Sequence, residues 1–138
     1  MRQKILSSYT GIIIAINAIA FIIFYILLGV MDQDAVISLL ALQPAAILAG
    51  KNLWTFITSM FLHAGVLHLV ANMISLMFIG SFVEKLIGKK RFLTFYFIAG
   101  LSAGILFVLI SFITGADINV FAVGASGAIF GLGGLLAV

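Results

Sequence analysis

Long apolar segments alternate with short polar ones along this chain, and the alternation predicts its elements. Residues 11–30 are almost uninterruptedly apolar. A helix of about twenty residues rises about 30 Å, the thickness of one hydrocarbon core. Residues 66–83 and 92–113 have the same character, and a further apolar segment begins near Ser126. The pattern therefore predicts four transmembrane helices, over residues 11–30, 66–83, 92–113 and 126–138.

The segment 31–65 is too polar to cross a bilayer and too apolar to be a free loop. Charged and amide side chains, one proline and one tryptophan are spaced among its apolar residues: Asp32, Asp34, Gln43, Pro44, Lys51, Asn52 and Trp54. Tryptophan is enriched at membrane–water interfaces. We therefore expect an interfacial loop that contains short helices, with Trp54 at the depth of the lipid headgroups.

The composition agrees with a membrane protein and excludes several other classes. Hydrophobic residues make up 64% of the 138 residues and charged residues only 8%, whereas soluble domains carry about a quarter charged residues. The lack of cysteine excludes disulfides, thiol nucleophiles and thiolate metal sites. No basic patch with interleaved aromatic residues indicates nucleic acid, so none is expected as a partner. The fold class predicted is a single all-α polytopic membrane domain over residues 1–138.

The basic residues are distributed unequally between the two ends of the predicted helices. Only Lys51 lies on one side, whereas six of the seven basic residues precede the first helix or lie between the second and third: Arg2, Lys4, Lys85, Lys89, Lys90 and Arg91. Cytoplasmic loops carry an excess of lysine and arginine. The asymmetry predicts a multi-pass protein of the cell membrane with a cytoplasmic N-terminus, and with Ser126 near the outer end of the fourth helix.

The fourth apolar segment is shorter than the others. Residues 127–138 would rise about 18 Å as a helix, against a hydrocarbon core of about 30 Å. The last carbonyl groups of a helix lack partners, and lipid supplies none. We therefore expect the sequence to stop inside its fourth transmembrane helix, as a fragment, a truncated gene product or one piece of a split protein.

Polar residues at membrane depth are the first candidates for chemistry. His68 and Asn72 are four residues apart, so they share one face of the second predicted helix, and Ser75 continues that face. Intramembrane polar groups are costly and are functional candidates, although hydrogen bonding between helices would also account for them. His63 precedes that helix, where bracing the loop is the simpler role. Two histidines without a carboxylate on their face are weak evidence for a metal site, and we expect neither metal nor cofactor.

The serine in the small-residue run GASG is the second candidate. Small residues also let membrane helices approach closely, so a packing role stays open for this run. At a helix N-terminus, Ser126 would lie beside free backbone N–H groups and the positive end of the helix dipole. His68 and Asn72 can converge on the same point as donors to a developing oxyanion. Gly124 and Gly127 allow the tight chain entry and close approach that this requires.

Three segments taken together, HAGVLHLVANM, FIGSFVEKLIGKKRFL and GASGAIFG, resemble the rhomboid family of intramembrane serine proteases. The resemblance extends from about residue 42 to the end of the chain. It implies a rhomboid-like helical bundle in which Ser126 is the nucleophile, and His68 and Asn72 help stabilise the oxyanion. It also implies that Glu84 helps pin the cytoplasmic ends of the helices. The family usually has Trp-Arg in the first loop, where this chain has Trp54 followed by threonine.

The general base that the family pairs with its serine is missing. Family members carry that histidine on a later helix in a Gly-x-x-x-Ala-His pattern, which this chain lacks. The resemblance assigns His68 to the oxyanion and His63 to a structural position. Serine is a weak nucleophile without a base. The resemblance therefore implies an endopeptidase that cuts in or beside transmembrane segments of membrane proteins, whereas this chain alone should be almost inert without a C-terminal part that carries the base.

Two other functions stay open at this point. A non-catalytic rhomboid-like protein would bind transmembrane helices and remodel the bilayer, but it would not need Ser126, His68 and Asn72 together. A small transport or scaffold protein with polar packing residues is less favoured, because GASG occurs together with His-x-x-x-Asn. A genomic continuation that contains Gly-x-x-x-Ala-His would favour the protease. A stop codon after Val138 would favour a relic or a split enzyme.

Overall fold

The computed structural model describes residues 8–137, and helices form most of that range. The helices are α1 (Tyr9–Val30), α2 (Gln33–Leu40), α3 (Pro44–Leu48), α4 (Thr55–Thr58), α5 (Val66–Ile87), α6 (Lys89–Thr114) and α7 (Ser126–Leu135). Within this range α1, α5 and α6 are long and apolar enough to cross a membrane, and α7 is a shorter apolar helix. The predicted all-α membrane fold is thereby confirmed.

The charged segment between α5 and α6 is more helical than its composition indicates. The sequence predicted helices over 66–83 and 92–113 with a turn between them, but α5 extends to Ile87 and α6 begins at Lys89. The chain reverses at Gly88, whose φ of 83° lies in the left-handed region that favours glycine. One glycine is therefore enough for the turn, and the charged residues occupy the two helix ends.

Glu84 holds the beginning of α1 to the end of α5. Its carboxylate accepts hydrogen bonds from the backbone N–H groups of Tyr9 and Thr10, at 2.9 and 2.8 Å. The hydroxyl of Thr10 donates a third hydrogen bond to it, at 2.7 Å. The first N–H groups of a helix lack intrahelical partners and carry the positive end of its dipole. A carboxylate there accepts their hydrogen bonds and balances the positive charge. These contacts account for a buried glutamate in an apolar bundle.

The loop between α1 and α5 packs against the segment that leads into α7. Leu42 and Ala122 exchange two backbone hydrogen bonds, of 3.1 and 2.8 Å, in an isolated antiparallel bridge. Closer to Ser126, the N–H of Gly124 donates to the carbonyl of Ser59 at 2.8 Å. These backbone contacts fix the path by which the chain enters α7.

Small residues let α7 approach α6 closely. A Cβ added at Gly127 would lie 2.5 Å from the Cβ of Ala103, and one added at Gly131 would lie 2.4 Å from the Cβ of Ala99. Real Cβ contacts essentially never fall below 3.0 Å, so both positions exclude any side chain unless a helix moves. The two glycines are four residues apart on one face of α7. This small-residue contact sets the position of α7 against the bundle.

The interior of the bundle lies where α1, α5, α6 and α7 meet. Its largest buried apolar side chains come from three of these helices: Leu76, Val83, Phe92, Tyr96 and Leu132. Within this interior α5 changes from α- to π-helical geometry over Leu76–Gly80 and then returns to α-helix. The half of α5 that carries His68 and the half that carries Glu84 are therefore joined through a π-helical segment.

Candidate active site

Ser126 is the first residue of α7 and is half-buried. The chain reaches it through Gly124, whose φ of 121° is rarely adopted by residues with a side chain. In the first turn of α7 the backbone N–H groups have no intrahelical acceptors, and the helix dipole is positive there. The hydroxyl of Ser126 thus lies beside groups that favour negative charge.

The imidazole of His68 and the hydroxyl of Ser126 meet beside Gly124. A Cβ built on Gly124 would lie 2.9 Å from Cε1 and 3.0 Å from Nε2 of His68, and 3.7 Å from Oγ of Ser126. The two side chains therefore face one small volume, and any side chain at position 124 would fill it. Of the residues that the sequence singled out, the structure thus brings together His68, Ser126 and Gly124, and His63 packs against His68.

The hydrogen bonding of His68 favours one of the two tautomers of its neutral ring. Nδ1 accepts a hydrogen bond from the backbone N–H of Ala64, at 3.4 Å. A neutral imidazole accepts at one nitrogen and donates from the other. Nε2, which lies beside Gly124, is therefore assigned the proton. In this state His68 presents a hydrogen-bond donor at the site, which suits oxyanion stabilisation and not proton abstraction.

Asn72 is buried one turn after His68 on the same helix. Its side-chain amide donates to the backbone carbonyl of His68 at 2.9 Å, and the second amide hydrogen is left for another acceptor. Between residues 8 and 137 no hydrogen bond joins Asn72 to Ser126, so its place at the oxyanion stays a prediction. Ser75, the next residue on this face, donates its hydroxyl to the carbonyl of Ala71 in the same helix.

His63 is fully buried and packs against His68, with ring centroids 5.0 Å apart in an edge-to-face arrangement. Within the described part of the chain, neither of its ring nitrogens has a hydrogen-bond partner. Burial, and after it the charge of His68, lower the pKa of His63 to about 4, and the backbone of Phe61 acts in the opposite direction. His63 is therefore a neutral imidazole that supports its neighbour.

The remaining predicted residues lie away from the nucleophile. The indole N–H of Trp54 donates to the carbonyl of Leu39 at 2.8 Å, and half of its surface is exposed. Thr55, which stands where the family has arginine, is buried and donates to the carbonyl of Asn52 at 2.7 Å. Glu84 is at the far end of α5. These side chains hold the loop and the helix ends, and none of these contacts involves Ser126.

A cavity of about 160 Å³ opens beside Ser126 and Gly124. Its walls are largely apolar, with Phe56 and Phe107 among them and Ser59 as a further polar residue. Ser59 could not be identified from the sequence, because its contact with Gly124 is made by a backbone carbonyl. Every residue has a backbone carbonyl, so a contact of this kind cannot be read from residue types. The contact therefore had no signal in the sequence.

Comparison with known proteins identifies the family. A family model described as Rhomboid domain matches residues 50–138. RHOMBOID-like protein 5 of Arabidopsis thaliana is 45% identical over 96 residues, which cover 70% of this chain and 29% of that protein. Rhomboid protease GluP of Bacillus subtilis (strain 168) is 33% identical over 130 residues, 94% of this chain and 24% of that protein.

Rhomboid-like protease 3 of Toxoplasma gondii is 33% identical over 125 residues, which cover 86% of this chain and 45% of that protein. The chain thus spans less than half the length of each of these three relatives. The family model nevertheless matches well over half of the chain itself. This protein therefore belongs to the rhomboid family.

Proposed function

We propose that this chain carries the nucleophile and the oxyanion donors of an intramembrane serine endopeptidase. The observation that supports this most is the convergence of Nε2 of His68 and the hydroxyl of Ser126 beside Gly124, at the N-terminus of α7. Two relatives named as proteases, from Bacillus subtilis and Toxoplasma gondii, support the same chemistry. A binding protein would have no need of a hydroxyl and an N–H donor aimed at one point.

The proposed reaction begins with attack of the Ser126 hydroxyl oxygen on the carbonyl carbon of the scissile peptide bond. The carbonyl oxygen then becomes an oxyanion, and the N–H of His68, the amide of Asn72 and backbone N–H groups of α7 donate to it. One such donor typically lowers the barrier by about 2.7–4 kcal/mol. The positive end of the α7 dipole stabilises the same charge.

The general base is proposed to lie outside residues 8–137. His68 holds its proton on the nitrogen nearest the site, and His63 is buried against His68 with a pKa of about 4. Neither is suited to take the proton of Ser126, and serine without a base is a weak nucleophile. We expect this chain alone to be almost inert, and activity to need a histidine from a further segment or a second chain.

The membrane-spanning helices determine the proposed substrate and location. Because His68 and Asn72 lie on α5 and Ser126 begins α7, within a bundle whose long helices are apolar enough to cross a membrane, the peptide bonds that reach Ser126 are those in or beside transmembrane segments of other proteins. We propose the cell membrane as the location, with the N-terminus and the Gly88 turn on the cytoplasmic side. The lipid bilayer is then the medium through which substrates reach the site.

The decisive experiment measures cleavage of a transmembrane reporter in proteoliposomes by the complete gene product. Ser126→Ala should abolish cleavage without unfolding the protein, because it removes one oxygen from a small-residue site. His68→Ala and Asn72→Ala should each lower the rate by about 10²- to 10³-fold, as expected for loss of one oxyanion donor. Ser75→Ala is the matched control, since that hydroxyl lies on the same face of α5 but bonds within its own helix.

Labelling with a serine-directed fluorophosphonate shows whether a general base activates Ser126. The chain of 138 residues should be labelled slowly at Ser126. The complete gene product should be labelled faster if it contains a general base. Cleavage by Ser126→Ala at the wild-type rate would overturn the assignment of the nucleophile. Binding of the reporter by the wild type without any cleavage would favour the non-catalytic alternative.

A further inference from the structure

Tyr25 on α1 contacts the segment that leads into the candidate site. Its hydroxyl donates a hydrogen bond of 2.9 Å to the backbone carbonyl of Ala64, thirty-nine residues further along the chain. The ring of Tyr25 is itself fixed on α1, because its centroid lies 4.5 Å from that of Phe21 and 5.8 Å from that of Phe24. The hydroxyl is thus presented to Ala64 from a stable position.

Ala64 in turn contacts His68. The backbone N–H of Ala64 is the donor to Nδ1 of His68, and the ring of His63 packs against the same imidazole. Tyr25, Ala64 and His68 therefore form a continuous series of hydrogen bonds from α1 to the imidazole. Nε2, at the other side of that ring, lies beside Gly124 and near Ser126.

The segment from Ala64 to Leu67 has little side-chain packing of its own, although His63 directly before it is buried. Ala64 is exposed, a Cβ at Gly65 would find nothing within 4 Å, and Val66 and Leu67 are 66% and 83% exposed. Loss of the Tyr25 hydroxyl would remove the hydrogen bond at the Ala64 carbonyl and so weaken the hold on the N–H that donates to Nδ1 of His68.

We propose that Tyr25 is a positioning residue for the oxyanion donor. Acting through Ala64, it keeps Nδ1 of His68 occupied and so directs the Nε2 proton to the volume beside Gly124 and Ser126. The catalytic consequence rests on the proposed function, whereas the effect on the imidazole does not. The tyrosine lies before residue 50, where the matched Rhomboid domain begins.

The test is Tyr25→Phe, which keeps the ring and removes the hydroxyl. In the complete gene product we expect kcat for the transmembrane reporter to fall about threefold to tenfold with KM unchanged, the size expected for one neutral hydrogen bond that acts in the transition state. Tyr9→Phe is the matched control, because it removes a hydroxyl from the opposite end of the same helix. Thermal unfolding in detergent shows whether both variants stay folded.

A double-mutant cycle distinguishes positioning from a general structural role. In a His68→Ala background, Tyr25→Phe should cause no further loss, because its effect passes through the missing imidazole. Two additive losses would show that Tyr25 acts elsewhere and would overturn the proposal. So would an unchanged kcat in Tyr25→Phe.

A spectroscopic readout keeps the test independent of catalysis. In ¹⁵N-histidine-labelled protein, Tyr25→Phe should move the Nδ1 signal of His68 toward that of an imidazole nitrogen that accepts no hydrogen bond. An unchanged Nδ1 signal would overturn the positioning role even in an active enzyme. If the wild type cleaves nothing, the proposed function fails, and this signal alone decides whether Tyr25 orients His68.

Discussion

At the scale of single residues, the candidate site depends on two neighbouring imidazoles in different surroundings. His68 has a donor at one nitrogen and the volume beside Ser126 at the other. His63 is enclosed, and no described residue hydrogen-bonds to its ring. A charged ring at position 63 would therefore be buried with only the backbone of Phe61 to offset the loss of water. The neutral state of His63 is part of what keeps the segment before α5 folded.

This difference predicts a loss of stability in mild acid. Burial lowers the pKa of His63 from 6.5 to about 4, so the unfolded chain takes up a proton between these values while the folded chain does not. The free energy of unfolding should be constant above pH 6.5 as far as His63 is concerned, and should decline as the pH falls toward 4. Denaturant unfolding in detergent micelles at a series of pH values measures this.

The variant His63→Phe is the control for acid sensitivity, because it replaces the ring by one that does not titrate. Its free energy of unfolding should depend less on pH between 6.5 and 4 than that of the wild type, whatever its absolute stability. An identical slope in both proteins would show that another group causes the acid sensitivity.

At the scale of elements, the contact between α6 and α7 positions the nucleophile. Gly127 and Gly131 of α7 meet Ala103 and Ala99 of α6 with no room for an added carbon. Ser126 directly precedes the first of these glycines, so its distance from the loop and from α5 follows from how closely the two helices pack. Close contact between small residues is a common means of association for membrane helices.

We expect Gly127→Ala to lower the free energy of unfolding by roughly 1–3 kcal/mol, the usual cost of overpacking. Adding Ala103→Gly to the same chain should recover most of the loss, since it removes the carbon that the new Cβ meets 2.5 Å away. Unfolding in detergent, followed by circular dichroism, provides the measurement.

Two other glycines of α7 serve as controls for this contact. Nothing lies within 4 Å of a Cβ at Gly133 or Gly134. Gly133→Ala and Gly134→Ala should therefore leave stability unchanged or raise it by up to about 1 kcal/mol through helix propensity. Failure of Ala103→Gly to rescue Gly127→Ala would mean that the cost of the substitution arises elsewhere.

The length of the apolar segments is sufficient to predict the long helices, because a helix that crosses a bilayer needs about twenty apolar residues. The same pattern does not predict that Glu84 belongs to α5. A charged residue close to Gly88 is typical of a turn, and its hydrogen bonds to α1 are visible only in the structure. His68 and Ser126 follow from short sequence patterns. Tyr25 and Ala64 do not, because their contacts use a backbone carbonyl and a backbone N–H that any residue could supply.

At the scale of the whole molecule, charge separates the two ends of the bundle. The end at Gly88 carries the basic residues that begin α6 and the lysine that follows Glu84. The loops at the opposite end carry Lys51, Asp117 and two aspartates. Arg2 and Lys4, which the sequence assigns to the basic side, lie outside the described residues. The orientation of the bundle in the membrane stays a prediction from this asymmetry.

Single-cysteine labelling tests the orientation without background, because the chain has no cysteine. In intact cells, a membrane-impermeant maleimide should label Lys51→Cys and Asp117→Cys, and should reach Lys89→Cys only after the membrane is opened. Labelling after permeabilisation at all three positions controls for reactivity. Ready labelling of Lys89→Cys in intact cells would reverse the proposed topology.

The π-helical segment of α5 lets that helix hold one extra residue without changing how its two halves face the bundle. A π-turn accommodates about one residue more than an α-turn, and each residue of an α-helix turns the following side chains by about 100°. Deleting one residue from Leu76–Gly80 would make α5 regular and leave Glu84 and His68 close to their present relative orientation, because the π-turn holds the extra residue. A deletion elsewhere between these two residues would instead rotate Glu84 away from the start of α1. Homologous sequences should therefore be able to lose one residue within this segment but rarely in the regular α-helix on either side of it.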